Sequence, residues 1–367
     1  MNAFSILFSD AFGNERIGEL STVRNLASVP FGGRYRLIDF MLSSLVKARV
    51  PNIGVITRNN YSSLVDHLGG GKDWDLDRKN GGLKILTPFA SNEVPFRNKV
   101  EALNSVKDYT SHCLQDYCIV ADTNFICNID FTEMFNAHIE KCADITCLYY
   151  TNKVYGEEIS ISVNENGQIC DALYNASAKE EEKDIMLSVY IMRKELLLDI
   201  IEKGITYGWT DFNSDFIAKN FQYYNIFGYK QTGYCAVLRD IHDYYKANMD
   251  LLNPGIRREL FQSDTNILTK IKDSVPTTYG SNSNITHSLI ADGCKIDGKV
   301  ENCVIFRGTV IKKGASVKDS IIMQGSEIGE NCNITNVISD KNITVSHNKT
   351  LCGCDSLPFV ITKGTKI

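Results

Sequence analysis

The first 250 or so residues alternate short apolar runs with stretches whose apolar residues recur at helical spacing. Apolar runs at 4–8, 53–57, 117–121, 145–150, 187–192, 225–229 and 234–238 read as strands. Amphipathic stretches at 37–48, 99–113, 131–142, 194–203 and 212–221 read as helices. Strands that are apolar throughout belong in a sheet covered on both faces. The pattern therefore predicts an α/β domain with a mostly parallel, Rossmann-like sheet. Such sheets bind ligands beyond the carboxyl ends of their strands, which directs attention to the loops after Phe8, Ala121 and Leu238.

From about residue 279 the period changes. Ile285, Ile290, Ile296, Val300, Ile305, Ile311, Val317, Ile322, Ile328, Ile334 and Ile343 recur at close to every sixth position, with Gly, Asn, Asp or Lys between. A helix repeats near 3.6 and a half-buried strand at 2, so a period of six predicts a β-helix of hexapeptide repeats. Each coil of such a solenoid buries one branched residue per face. The expected organisation is a first domain over 1–251, a connector over 252–278 containing the break Asn253-Pro254-Gly255, and the β-helix over 279–367.

Composition narrows the function. The chain has 367 residues, 43% hydrophobic and 23% charged, which suits two globular domains. A net charge of −5 without a basic run argues against nucleic acid as a partner, yet leaves room for a local cationic pocket. No apolar run approaches the length of a membrane span, and the first residues enter a strand without a leader pattern. The 12 cysteines include one close pair, Cys352-Gly353-Cys354, with no second pair at zinc-site spacing. Reduced thiols in a cytoplasmic protein are expected. No histidine stands at metalloprotease or triad spacing, and His242 reads as a surface or core residue.

Three strings are more specific. They are VPFGGRYRLIDF from Val29 to Phe40, WDLDRKNGG from Trp74 to Gly82, and SIIMQGSEIGENC from Ser320 to Cys332. In this order and layout they resemble bacterial ADP-glucose pyrophosphorylase, also called glucose-1-phosphate adenylyltransferase, over nearly the whole chain. The resemblance implies a nucleotidyltransferase domain followed by a left-handed β-helix, a tetramer, Mg²⁺, and joining of ATP to glucose 1-phosphate for glycogen synthesis. Such phosphate chemistry needs backbone N–H groups and cations around the triphosphate and carboxylates around the metal.

Measured against the family, the contacts that grip substrate have changed. The family's G-G-x-G-x-R loop corresponds to Ser9–Arg16, which keeps only Gly13 and, in Arg16, a remnant of the family arginine. Its lysine-proline pair is replaced by Leu26 and Ala27. Its G-T-A-D-A loop reads Asn98-Lys99-Val100-Glu101-Ala102, so Asn98 and Glu101 are vestigial substrate contacts. Its E-K-P falls near Tyr174-Asn175-Ala176 without a lysine, and its S-M-G reads Met186-Leu187-Ser188. Two positions matching metal-binding aspartates survive as Asp122 and Asp240, either as remnants of a Mg²⁺ site or as polar strand ends.

Scaffold strings kept while ligand contacts are lost resemble the GlgD-type regulatory subunit, which pairs with a catalytic subunit in a heterotetramer. The resemblance thus implies a catalytic partner subunit, with a homo-oligomer as the other assembly and a sugar phosphate or nucleotide as ligand. Two other readings stand beside it. One is an active adenylyltransferase with an altered ATP loop. The other is a β-helix acyltransferase or sugar-nucleotide module, for which only His287 and His347 lie in the right region.

Overall fold

The computed structural model describes every residue except 11, 13–16, 88–95, 176, 262–265 and 355–356, and of residue 179 the backbone only. The first domain is built on β1 (Ala3–Phe8), β2 (Asn52–Ile56), β3 (Gly82–Leu86), β4 (Tyr117–Asp122), β5 (Phe125–Cys127), β6 (Ile145–Val154), β7 (Glu158–Val163), β8 (Ile169–Asn175), β9 (Lys179–Arg193), β10 (Ile226–Lys230) and β11 (Cys235–Val237). The large sheet runs β8-β7-β9-β4-β1-β2-β3, with β6 joining β9 to β10. Its centre, β4-β1-β2-β3, is parallel, and the long β9 lies antiparallel to β4.

Alternate residues of β1 serve opposite faces, as the pleat requires. Ala3 and Leu7 pack with α1 (Leu37–Lys47), while Phe4, Ile6 and Phe8 pack on the side of α3 (Lys99–Ser105) and α6 (Lys194–Tyr207). Both faces are apolar, as the unalternating strand runs predict. Among the described residues no helix is long and apolar enough to cross a membrane.

Several elements differ from the sequence reading. The expected helix over 99–113 breaks at Val106 into α3 and α4 (Lys107–His112). The stretch 212–221 opens with a π-helical turn, Phe212–Ile217, capped by Asp211. Strands β3, β7 and β8 appear where no apolar run announced them: Lys84 interrupts β3, Glu158, Ser160 and Ser162 alternate with the apolar residues of β7, and most of β8 faces solvent. Helix α2 (Ser62–Leu68) was likewise unannounced, while α5 (Phe131–Glu140) forms where a helix is expected. Beyond β11 lie α7 (Ile241–Asp250) and α8 (Pro254–Phe261), the latter inside the segment read as a connector.

The C-terminal domain is a left-handed β-helix made of three parallel five-stranded sheets. One face stacks Val300, Val317, Ile334 and Leu351, seventeen residues apart, so three hexapeptide-like units make one coil. Ile296, Val300, Ile305, Ile311, Val317, Ile322, Ile328, Ile334 and Ile343 are all buried, while Ile285 and Ile290 in the first coil are half-covered. Each coil must turn through positive φ at its corners. Those corners hold Asn302, Asp319 and Asn336 on one edge, and Gly293, Gly308, Gly325 and Asn342 on another. Gly and Asn adopt this region at least cost.

The two domains share one apolar core. Phe31, Leu37 and Phe40 of the first domain and Tyr244 and Leu251 of α7 and its end pack with Val304, Phe306, Ile321, Met323 and Ile338 of the β-helix. Gly32 and Gly33 turn with φ of 57° and 84°. A Cβ on Gly32 would stand 2.9 Å from Leu251, and one on Gly33 would stand 3.5 Å from Ala291 of the β-helix.

Candidate active site and domain junction

The strand ends meet at a polar corner. Asp122 closes β4, and Thr123 donates its hydroxyl to the Phe8 carbonyl at 2.8 Å, which holds the ends of β1 and β4 together. Lys99 opens α3 beneath them. Its ammonium lies 2.5 Å from one Asp122 carboxylate oxygen, Oδ2, and 3.4 Å from the Ser188 hydroxyl. The same ammonium sits 5.8 Å from the Phe8 ring centroid. Both members of the ion pair are buried, and the other Asp122 oxygen has no hydrogen-bond partner. Asn213 donates to Ser188 at 2.9 Å, and its own side-chain oxygen is also without a partner.

Ser188 reaches this corner because the pairing register of β9 with β6 shifts between Met186 and Tyr190. A bulge of this kind re-aims side chains. Met186 and Leu187 enter the core clusters on opposite faces of the sheet. Tyr190 lies fully buried beside the corner, and desolvation followed by the nearby Cys147, Asp211 and Asp122 pushes its hydroxyl pKa well up.

Above the corner, the loop after β1 presents an aromatic ring. Phe12 meets Phe8 edge-on at 5.5 Å between centroids, and Phe96 lies 6.0 Å away. Arg16 and Gly13 lie outside the described residues. Leu26 begins a 3-10 turn tied to the same loop by the Ala27 amide, which donates to the Ser9 carbonyl at 3.0 Å. Its side chain is 2% exposed and packs with Ile17, Leu20 and Val29.

The other expected residues hold secondary structure. Asn98 caps α3 by accepting from the Glu101 amide at 2.9 Å, and Glu101 accepts from the Arg97 amide at 2.6 Å, a reciprocal capping arrangement. Asp240 caps α7 by accepting from the Asp243 amide at 2.8 Å. Asn175 spends its amide on Ser160 and on the carbonyls of Glu158 and Leu173. Thus Asp122 and Ser188 come together through Lys99, while Asn98, Glu101 and Asp240 serve helix starts.

The fit of a divalent ion follows from these roles. Mg²⁺ takes oxygen ligands at about 2.0–2.1 Å in an octahedron that carboxylates help to build. Here one Asp122 oxygen holds an ammonium and Asp240 is committed to a cap. Among the described residues no three His, Cys, Asp or Glu side chains are grouped to hold a metal ion. The described residues at this corner do not fit a Mg²⁺ centre.

A second polar cluster, unannounced by the sequence, lies at the domain junction. Arg24 donates to both oxygens of Asp340 in the β-helix at 2.9 Å, with both side chains 2% exposed. Arg36, at the start of α1, binds the carbonyl and hydroxyl of Ser63, and Arg307 pairs with Asp292 at 2.9 Å. Lys341 is crowded by these cations. Burial, then the charges of Arg36 and Arg24, push its pKa down to about 7 despite Asp340. Burial first and Arg24 among the neighbours likewise bring Arg36 down to about 10. Arg24, Arg36, Arg307 and Lys341 thus bring local positive charge to the junction, beside the carboxylates that pair with them.

The strings that carried the resemblance lie here and in the scaffold rather than at the strand ends. In VPFGGRYRLIDF the glycines turn against the β-helix, and Asp39 accepts from the Arg36 amide and lies 2.6 Å from His67. In WDLDRKNGG, Trp74 is wholly buried with its edge toward the His67 ring.

Comparison with known proteins agrees with this layout. Residues 14–159 match the nucleotidyl transferase family, and residues 273–357 match the GlmU-like C-terminal hexapeptide family. The glycogen biosynthesis protein GlgD of Bacillus subtilis (strain 168) is 33% identical over 94% of this chain and 92% of its own length. GlgD of Geobacillus stearothermophilus is 36% identical over 83% of this chain and 79% of its own. The glucose-1-phosphate adenylyltransferase of Mycoplasma mobile is 32% identical over 80% and 78%. With this fold, this order of motifs and this breadth of identity, the chain belongs to the family of GlgD and glucose-1-phosphate adenylyltransferase proteins.

Proposed function

We propose that the chain is a regulatory, catalytically impaired subunit of ADP-glucose pyrophosphorylase, acting in the cytoplasm in glycogen biosynthesis. It assembles with a catalytic subunit and modulates that partner's conversion of ATP and glucose 1-phosphate to ADP-glucose and pyrophosphate. The observation that carries this reading is Leu26. Where the family has a lysine to draw on the departing pyrophosphate, this chain has an aliphatic side chain buried in the core. Loss of one preorganised donor or cation costs about 10²–10³ in rate. Phe12, packed on Phe8 and Phe96 in the loop after β1, adds apolar surface where backbone N–H groups are needed.

The intact junction supports the regulatory half of the reading. Its cations favour an anionic ligand, a sugar phosphate or nucleotide, whose binding bears on both domains at once through their shared core. The test has two arms. Purified alone with Mg²⁺, ATP and glucose 1-phosphate, the chain is expected to release pyrophosphate at under a hundredth of a catalytic subunit's rate. Mixed with that subunit, it should co-elute on sizing and change the partner's kcat/KM. Full turnover by the chain alone would favour the active-adenylyltransferase reading. No complex and no kinetic change would remove the regulatory one.

A further inference from the structure

At the strand ends, one cation is already built into the chain. We propose that Lys99 takes the place of a divalent ion at Asp122, so that this corner is metal-independent by construction. Three observations converge. The ammonium lies 2.5 Å from Asp122 Oδ2, so it already occupies one of the two carboxylate oxygens open to a metal. Lys99 is the first residue of α3, where the positive end of the helix dipole disfavours a cation, so helix formation does not explain its presence. Both side chains are buried at the carboxyl end of β4, where an unpaired carboxylate would be costly.

One ammonium neutralises one carboxylate, which leaves the pair without net charge to attract a dication. A dication placed on the same oxygen would meet the ammonium within a few ångströms. The second Asp122 oxygen, without a partner, marks the imperfection of the substitution. A metal shell would reach both oxygens, through ligation or through its waters, whereas of the two Asp122 oxygens the ammonium meets Oδ2 and not Oδ1. The inference concerns the metal alone and stands whether or not the chain regulates a partner.

Mn²⁺ titration followed by electron paramagnetic resonance reads this directly on the full chain. The wild-type protein is expected to leave Mn²⁺ free, with a signal that Asp122→Asn does not alter. Lys99→Thr should bind Mn²⁺ at least ten-fold more tightly than wild type, and adding Asp122→Asn should abolish the gain. Lys99→Gln, which keeps length and a donor, is carried in parallel, with circular dichroism to identify the folded variant. Wild-type binding that Asp122→Asn removes would overturn the proposal, as would a folded Lys99 variant that gains none. Neither result depends on turnover or on a partner, so failure here is distinct from failure of the regulatory reading.

Discussion

Two buried ion pairs sit at opposite duties in this molecule. Arg24 grips both oxygens of Asp340 across the domain junction, and one of those oxygens also accepts from the Lys341 amide at 2.7 Å. Lys99 touches one oxygen of Asp122 and leaves the other unpartnered. A buried charge pair stabilises only when its geometry is good and its remaining lone pairs are satisfied. The first pair meets that condition and works as a joint between domains. The second neutralises charge but leaves a carboxylate lone pair unsatisfied. The junction between the domains is fully paired, while the corner at the strand ends is only charge-balanced.

The comparison can be broken most forcefully at the joint. Arg24→Met strands a buried carboxylate and is expected to cost about 3–5 kcal/mol, read as a fall in the urea midpoint with loss of contact between the domains. A loss under 1 kcal/mol would mean the joint is no better made than the corner at the strand ends. Restoring the family cation is the next largest effect. Leu26→Lys puts an ammonium among Ile17, Leu20 and Val29 and should destabilise by about 3 kcal/mol, with no gain in pyrophosphate release. A stable, active variant would show the core there to be adaptable.

Lys341 sharpens the contrast through pH. Its pKa falls from 10.5 to about 7 in the folded chain. Below about 7 both states hold the proton and the folded state carries the full penalty. Between there and 10.5 the unfolded chain binds a proton that the folded chain lacks, so stability rises with pH across that interval. Lys341→Met should flatten that slope in denaturant titrations, and phosphate should reduce it in the wild type. Asn98→Ala is the mildest test. Loss of its cap on α3 should cost about 1 kcal/mol, measured by thermal unfolding, with the Lys99–Asp122 contact kept.

The β-helix was legible because each face needs one branched residue per coil, and Val317 and Ile334 fulfil that need where the period puts them. The central strands were legible for a related reason, since both faces of β1 and β4 are covered. Strand β7 was hidden because Glu158, Ser160 and Ser162 break its apolar run, and β8 because residues such as Asp171 and Tyr174 face solvent and dilute the apolar signal. In the candidate site, Lys99 could be seen as a departure from the family string. That it meets Asp122 depends on where the start of α3 falls relative to the end of β4, which spacing along the chain does not encode. The joint was harder still, for Arg24 and Asp340 lie 316 positions apart and neither sits in a periodic run.

The stacking of the β-helix carries a consequence for how such a chain changes length. Ile321 pairs with Ile338 seventeen positions later, but Ile338 pairs with Val360, twenty-two positions on. The longer step falls between Cys352 and Phe359, and the strand that begins at Phe359 returns to its place in the ladder. Thr344, bridged to Lys366, keeps the same longer step on the next face. Growth at a corner is thus a local edit, whereas a single residue inserted within a face would invert inside and outside for the rest of its strand. The solenoid offers its corners as sites where a lineage gains new surface without rewriting the core.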